Sequence, residues 1–212
     1  GKPTLHKAFS ESMALLAGDA LIPMAFGLVA KSNPEVKPQA QLRVLQLLSE
    51  VAGVGSEGQS GLVSGQVFDM LASENKLPLT AETLHQIHQG KTAALFRFAL
   101  EAGAILAGAD EALSDEFKAL GKTLGLIFQI QDDILDVTAT TEALGKTAGK
   151  DVEQNKLTFP SVYGLVESKA YLEEQVTKMQ RCLDEISQSK GVDATQLLAL
   201  RQRIDTMLKR CS

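Results

Sequence analysis

Phe128-Gln129-Ile130-Gln131-Asp132-Asp133-Ile134-Leu135-Asp136 sits inside an otherwise apolar run from Leu124 to Val137. If the run is helical, Gln129, Asp132, Asp133 and Asp136 fall at i, i+3, i+4 and i+7, which puts all four on one face. Ile127, Ile130, Ile134 and Leu135 take the remaining faces, so much of the helix is suited to burial. Like charges four residues apart oppose helix formation, and carboxylates buried without partners cost still more. The stripe therefore calls for something positive, and a divalent cation is the natural candidate. Mg²⁺ suits it: the ion takes oxygen ligands in octahedral geometry, keeps several waters, and bridges one or two protein carboxylates to substrate phosphates. A bundle core is a usual place for such a site.

Working outward from this stretch, the chain reads as helix, turn, helix, because strong helix formers are plentiful and alternating β-type runs are absent. The first helix is expected from about His6 to Lys31, kinked at Pro23. A second is expected from Gln39 to Ala52, stopped by Gly53. Five glycines between Gly53 and Asp69 alternate with apolar residues, which favours a helix in close contact with a neighbour or ligand. Thr80 is the expected cap of a helix running to Ala107, and Gly108-Ala109-Asp110 ends it. The longest helix, Ser114 to Thr138, holds the acidic stripe. After an irregular stretch from Thr140 to Lys156, two or three amphipathic helices close the chain near Arg210, interrupted near Gly191. The expected architecture is an all-α bundle of at least seven helices.

The totals agree with one large domain. There are 212 residues, 44% hydrophobic and 22% charged, ordinary for a globular chain that needs no staple to fold. A net charge of −5 argues against nucleic acid as the main partner. Cys182 and Cys211 have no metal-like spacing and read as reduced thiols of a cytoplasmic protein. No apolar run is expected to reach the ~18 residues of a membrane span. The chain opens on Gly1-Lys2-Pro3-Thr4, so it is expected to start inside something longer.

Two further features fit phosphate chemistry. Lys91-Thr92 sits in an apolar helix, where a lysine needs an anion. Lys146, Lys150 and Lys156 lie in a glycine-containing segment that can fold over phosphates as a flap, although loop lysines are ordinarily just surface. No Gly-x-x-x-x-Gly-Lys-Ser/Thr loop is present. His85 and His88 stand at i, i+3 with no third ligand nearby in sequence. Asp19 reads as a buried polar anchor.

Together these motifs resemble the trans-isoprenyl diphosphate synthases, the farnesyl and geranylgeranyl diphosphate synthase family. Phe128 to Asp136 looks like that family's second aspartate-rich motif. Leu144-Gly145-Lys146-Thr147-Ala148-Gly149-Lys150-Asp151 and Asn155-Lys156-Leu157-Thr158-Phe159-Pro160 match the pattern after it. Gly65-Gln66-Val67-Phe68-Asp69, Ile87-His88-Gln89-Gly90-Lys91-Thr92 and Leu16-Ala17-Gly18-Asp19-Ala20-Leu21 match as well, so the likeness runs from Gly1 to about Val166. In the family, a Gly-x-Pro-Thr-x-His segment like Gly1 to His6 follows a first aspartate-rich motif. The resemblance thus implies that residues 1–212 form a single helical domain lacking the family's N-terminal helices and first aspartate-rich motif.

It further implies a helical bundle of the isoprenoid synthase type, orthogonal or antiparallel, with a central active-site cavity. Such an enzyme joins isopentenyl diphosphate to an allylic diphosphate (dimethylallyl, geranyl or farnesyl) to make a short-chain trans-prenyl diphosphate for isoprenoid biosynthesis. Carried over by motif, Asp132, Asp133 and Asp136 serve two or three Mg²⁺ ions, with Asp132 foremost in direct ligation. Lys91, Lys146 and Lys156 hold the allylic diphosphate, the Thr92 and Gln129 dipoles face the allylic cation, and Gln66 and Asp69 line the cavity. A homodimer is implied too, and the 212 residues alone are expected to be inactive. Three rival readings stay open: a noncatalytic subunit of a heteromeric prenyl synthase, a class I terpene cyclase, and a helical binding protein without chemistry.

Overall fold

The computed structural model describes residues 2–31, 33–56, 59–138 and 156–209. Within them the chain is built almost entirely of helices. A four-residue turn of helix, α1 (Leu5–Ala8), precedes α2 (Glu11–Ala30). The single helix expected here is broken because Ser10 adopts an extended conformation and its hydroxyl accepts the Met13 N–H at 3.2 Å, starting a new helix. Pro23 lies inside α2 without ending it.

α2 departs from expectation in two more ways. None of its residues is buried, and Leu15, Leu16, Leu21, Ile22, Met24 and Leu28 are all exposed. Asp19 is exposed too and is therefore not a buried anchor. By length and composition α2 is apolar enough to cross a membrane, contrary to the expectation of no such run. Its C-terminal end is tied to the next helix, because the Gln41 amide donates to Val29 O at 2.8 Å.

α3 (Pro38–Ala52) starts on Pro38, whose missing N–H costs nothing at a helix start. It buries Val44, Leu47, Leu48 and Val51. The glycine-rich stretch that follows is only partly helical. Gly55 has φ +98°, a conformation that a side chain resists, and it allows a two-residue antiparallel pairing of Gly55–Ser56 (β1) with Gln59–Ser60 (β2). α4 (Leu62–Ser73) then begins, with the Ser64 hydroxyl accepting the Gly61 N–H at 3.1 Å.

Thr80 caps α5 (Ala81–His88) as expected, accepting the Thr83 N–H at 3.3 Å. Where one continuous helix is expected, the structure inserts a π turn, Gln89–Ala93, before α6 (Ala94–Leu106). The acidic stripe lies near the end of α7 (Glu111–Thr138). α8 (Phe159–Tyr163), α9 (Leu165–Gln188) and α10 (Ala194–Leu208) complete the described chain.

α7 is the axis of the bundle. Leu120, Leu124 and Ile127 pack with Met179, Leu183 and Ile186 of α9 and Leu197 and Ile204 of α10. One turn further on, Ile130 and Ile134 pack with Leu84 and Ile87 of α5 and with Phe159. A third cluster joins α3 to α6 through Val44, Leu47, Val51, Ala94, Ala102 and Ile105. Arg97 crosses the same α3–α6 boundary, with Nε 2.8 Å from Glu101 and Nη1 2.8 Å from Glu50. Burial alone would raise the Glu50 carboxyl, but hydrogen bonds from Arg97 and Ser56 outweigh it and hold it below the usual carboxylate range.

Candidate active site

Three elements bring the chemistry-bearing side chains together: α4, the π turn and the second half of α7. The first joint is a backbone contact. A Cβ on Gly65 would lie 2.1 Å from Lys91 N and 2.6 Å from Gly90 C, and one on Gly90 would lie 2.8 Å from Gly65 Cα. Only two glycines allow α4 and the π turn to approach this closely. One helical turn after Gly65 comes Asp69, buried, and its carboxylate accepts a hydrogen bond from Lys91 Nζ. The lysine in an apolar helix thus has its anion inside the protein. Gly65→Ala is expected to force the two backbones apart, at a cost of about 1–3 kcal/mol or a fall in Tm of roughly 3–10 °C. Thermal unfolding measures it, and an unchanged Tm would mean the two segments do not touch.

The π turn adds one residue to a helical turn, a device common at functional sites. It places Lys91 toward α4 and Thr92 toward α7. Thr92 Oγ1 donates to Gln129 Oε1 at 2.8 Å, and Gln129 Nε2 donates to Asp133 Oδ1 at 2.9 Å. Asp133 Oδ2 accepts the Phe159 N–H at 2.9 Å and lies 3.2 Å from His88 Nε2. A file of four residues therefore runs from the start of α8 to the π turn, each fixing the next.

The acidic stripe divides. Asp133 is 2% exposed, and both its oxygens are engaged by groups of α5, α7 and α8. It is turned into the bundle, away from the open face. Asp132 is half-buried and Asp136, one turn on, is buried. Gln66 is exposed on α4, three residues before Asp69, and Lys156 is half-buried just ahead of the α8 start that Asp133 holds. Lys146 and Lys150 fall outside the described residues. Among the described residues no group of three His, Cys, Asp or Glu converges on one point, the acidic stripe included, and His85 and His88 have no third ligand there. His88 stacks on Phe159 with ring centroids 5.4 Å apart, while His85 lies 3.2 Å from the Tyr163 hydroxyl. Burial, and then His88, push His85 below the ordinary histidine range.

The Phe159 N–H and His88 partners of Asp133 and the π turn escaped the sequence reading, as did the identity of Gly90 as the neighbour that the glycine-rich stretch was expected to touch. One signal was available: an aspartate four residues after Gln129, on an apolar helix, can be met by side chains from behind.

The site is thus a Lys–Asp pair beside a Thr–Gln–Asp file, with further carboxylates at the end of the axial helix of an all-helical bundle. The chain belongs to the polyprenyl synthetase family, whose model matches residues 1–193. It is 40% identical over 204 residues to a chloroplastic geranylgeranyl pyrophosphate synthase of Catharanthus roseus, covering 96% of this chain and 55% of that protein. It is also 40% identical over 184 residues to the farnesyl diphosphate synthase of Geobacillus stearothermophilus, covering 86% of this chain and 60% of that one. The chain thus spans little more than half the length of these relatives. Among solved structures it resembles a geranyltransferase of Helicobacter pylori complexed with magnesium and isoprenyl diphosphate, with TM-score 0.77 and 30% identity over 98% of this chain and 63% of the other. A farnesyl/geranylfarnesyl (FPP/GFPP) synthase of Zymomonas mobilis matches with TM-score 0.79 and 31% identity, covering 98% and 65%.

Proposed function

We propose that the protein containing this chain is a Mg²⁺-dependent short-chain prenyltransferase that condenses isopentenyl diphosphate with an allylic diphosphate. The observation that carries the reading is the oriented file Asp133–Gln129–Thr92 beside Lys91. Asp133 accepts only from the N–H side of the Gln129 amide, so Gln129 Oε1 is turned toward Thr92 and accepts a hydrogen bond from its hydroxyl. The Thr92 oxygen is left with lone pairs to present to an electron-poor carbon. Lys91 uses one of its three donors on Asp69 and keeps two for phosphate oxygens.

The oxygen donors fit the metal. Asp132, with Asp136 one turn away, supplies a partial set of hard ligands, as expected for Mg²⁺ that keeps waters and takes substrate oxygens; the buried Asp133 supports this set from behind. When bound, the ion neutralises charge growing on the leaving diphosphate. In the reaction the allylic C–O bond breaks, diphosphate leaves with the electron pair, the homoallylic alkene forms the new C–C bond, and a proton is lost. Lys91 and Lys156, with Lys146 from outside the described residues, bind and orient the diphosphate. Thr92 and Gln129 stabilise the cation, and Gln66 and Asp69 border the cavity. Apolar walls exclude the water that would quench the cation.

A homodimer belongs to the same reading, supported by the uncovered apolar surface of α2. A cytoplasmic setting belongs to it as well, supported by the bacterial relative. The test gives the full-length protein labelled isopentenyl diphosphate, each allylic diphosphate in turn, and Mg²⁺. Chain-extended product is expected with at least one; none with any of them overturns the reading in favour of a noncatalytic subunit or a binding protein.

A further inference from the structure

A second cavity of about 230 Å³ opens between β2, the π turn, α6, α7 and α9. It shares no residue with the candidate active site: Gln89 of the π turn lines it, while Lys91 and Thr92 point elsewhere. Its wall mixes the apolar Ala93, Ala94 and Leu126 with cationic and amide side chains. Arg97, 5% exposed, commits two of its five N–H groups to Glu101 and Glu50, and the other three have no partner among the described residues. Lys122 and Lys178 stand on the rim, from α7 and α9. Gln175, buried, contributes an amide from α9. Gln59 Oε1 is buried and has no hydrogen-bond partner among the described residues. That side chain lines the cavity, and its oxygen and nitrogen are interchangeable by an amide flip. Unsatisfied buried polar atoms are rare enough to call for a ligand or ordered water.

The charges point to the class of ligand. The titratable groups that meet here are Arg97, Lys118, Lys122 and Lys178 against Glu50, Glu101 and Asp115, the last 3.9 Å from Lys118. Burial pushes the Lys122 ammonium below the ordinary lysine range, and the Arg97 and Lys118 charges add to it. A chain with net charge −5 gathers here a surplus of cations around a cavity with free guanidinium donors.

We propose that this cavity is a binding site for a small, multiply charged oxyanion of the phosphate type, held by Arg97, Lys122 and Lys178. Inorganic phosphate and inorganic diphosphate share that chemistry, and the proposal does not depend on the reading of the active site.

The test uses the full-length protein with EDTA present, so that no divalent cation bridges phosphate to the acidic stripe. Inorganic phosphate and, separately, inorganic diphosphate are titrated by calorimetry against the unaltered protein, the double variant Lys122→Gln with Lys178→Gln, the double variant with arginine at both positions, and Lys91→Gln. At least one anion is expected to bind the unaltered protein, the arginine variant and Lys91→Gln with similar affinity. The glutamine variant should bind at least about tenfold more weakly, since each lost charge-assisted hydrogen bond supplies roughly that factor. Both lysines are at the surface, so the glutamine variant should melt with the unaltered protein. Equal binding by the glutamine variant overturns the proposal. So does loss of binding in Lys91→Gln alone, or no binding of either anion at tens of millimolar.

Discussion

Asp132→Ala in the full-length protein is expected to lower turnover by about three orders of magnitude, near 4 kcal/mol of transition-state stabilisation, while Tm moves by no more than a couple of degrees. The small stability effect follows from position. Asp132 is half-buried, and the apolar contacts that hold α7 come from Ile127, Ile130 and Ile134 on other faces of the helix. The large kinetic effect follows from the proposed ligand set, in which Asp132 is the more accessible of two carboxylates one turn apart. Steady-state assays across a range of Mg²⁺ concentrations, with a parallel melting curve, check both parts. Near-normal turnover removes Asp132 from the metal; a collapse in Tm would mean that it holds the fold.

Asp133→Ala, one residue away, is expected to give the reverse pattern in stability. Its carboxylate meets the Phe159 N–H, the Gln129 amide and His88 in a place closed to water. Alanine leaves two buried polar groups and one half-buried amide without that partner, at a cost of about 3–5 kcal/mol, or a fall in Tm of roughly 10 °C or more. Turnover falls as well, because Gln129 loses the contact that orients it toward Thr92. Asp133→Asn offers one acceptor where the carboxylate offered two and should fall between. If Asp133→Ala melts with the unaltered protein, the buried network is not the post described here. The contrast between the neighbours is the sharper result, since a uniformly solvated acidic stripe predicts the same behaviour for both.

Much of this was legible in the sequence. The stripe of Gln129, Asp132, Asp133 and Asp136 within the apolar run from Leu124 to Val137 announced α7, and the cap at Thr80 and the stops at Gly53 and Gly108 were read from local chemistry alone. The pairing of Lys91 with an anion was implied by its apolar surroundings. What was not legible depends on atoms far apart in the chain. A helical wheel puts Asp133 with Asp132 because it knows only spacing; Phe159, 26 residues on, decides that Asp133 turns inward. The glycines around Gly65 were expected to touch a neighbour, and the structure supplies its identity, Gly90 of the π turn. Asp19 was read as a buried anchor, but no residue of α2 is buried against the described residues.

The π turn at Gln89–Ala93 also sets the phase of everything after it. One added residue rotates α6 relative to α5 by roughly 100°. That offset lets α5 bury Leu84 and Ile87 against α7 and α8 while α6 buries Ala94, Ala102 and Ile105 against α3. A chain that lost one residue here would regain a regular helix, better by every local rule. It would then carry the wrong side of α6 to α3 and turn either Lys91 or Thr92 out of register with its partner. Length in this segment is therefore under tighter constraint than composition: substitutions at the exposed Gln89 are tolerable in a way that a single deletion among residues 89–93 is not.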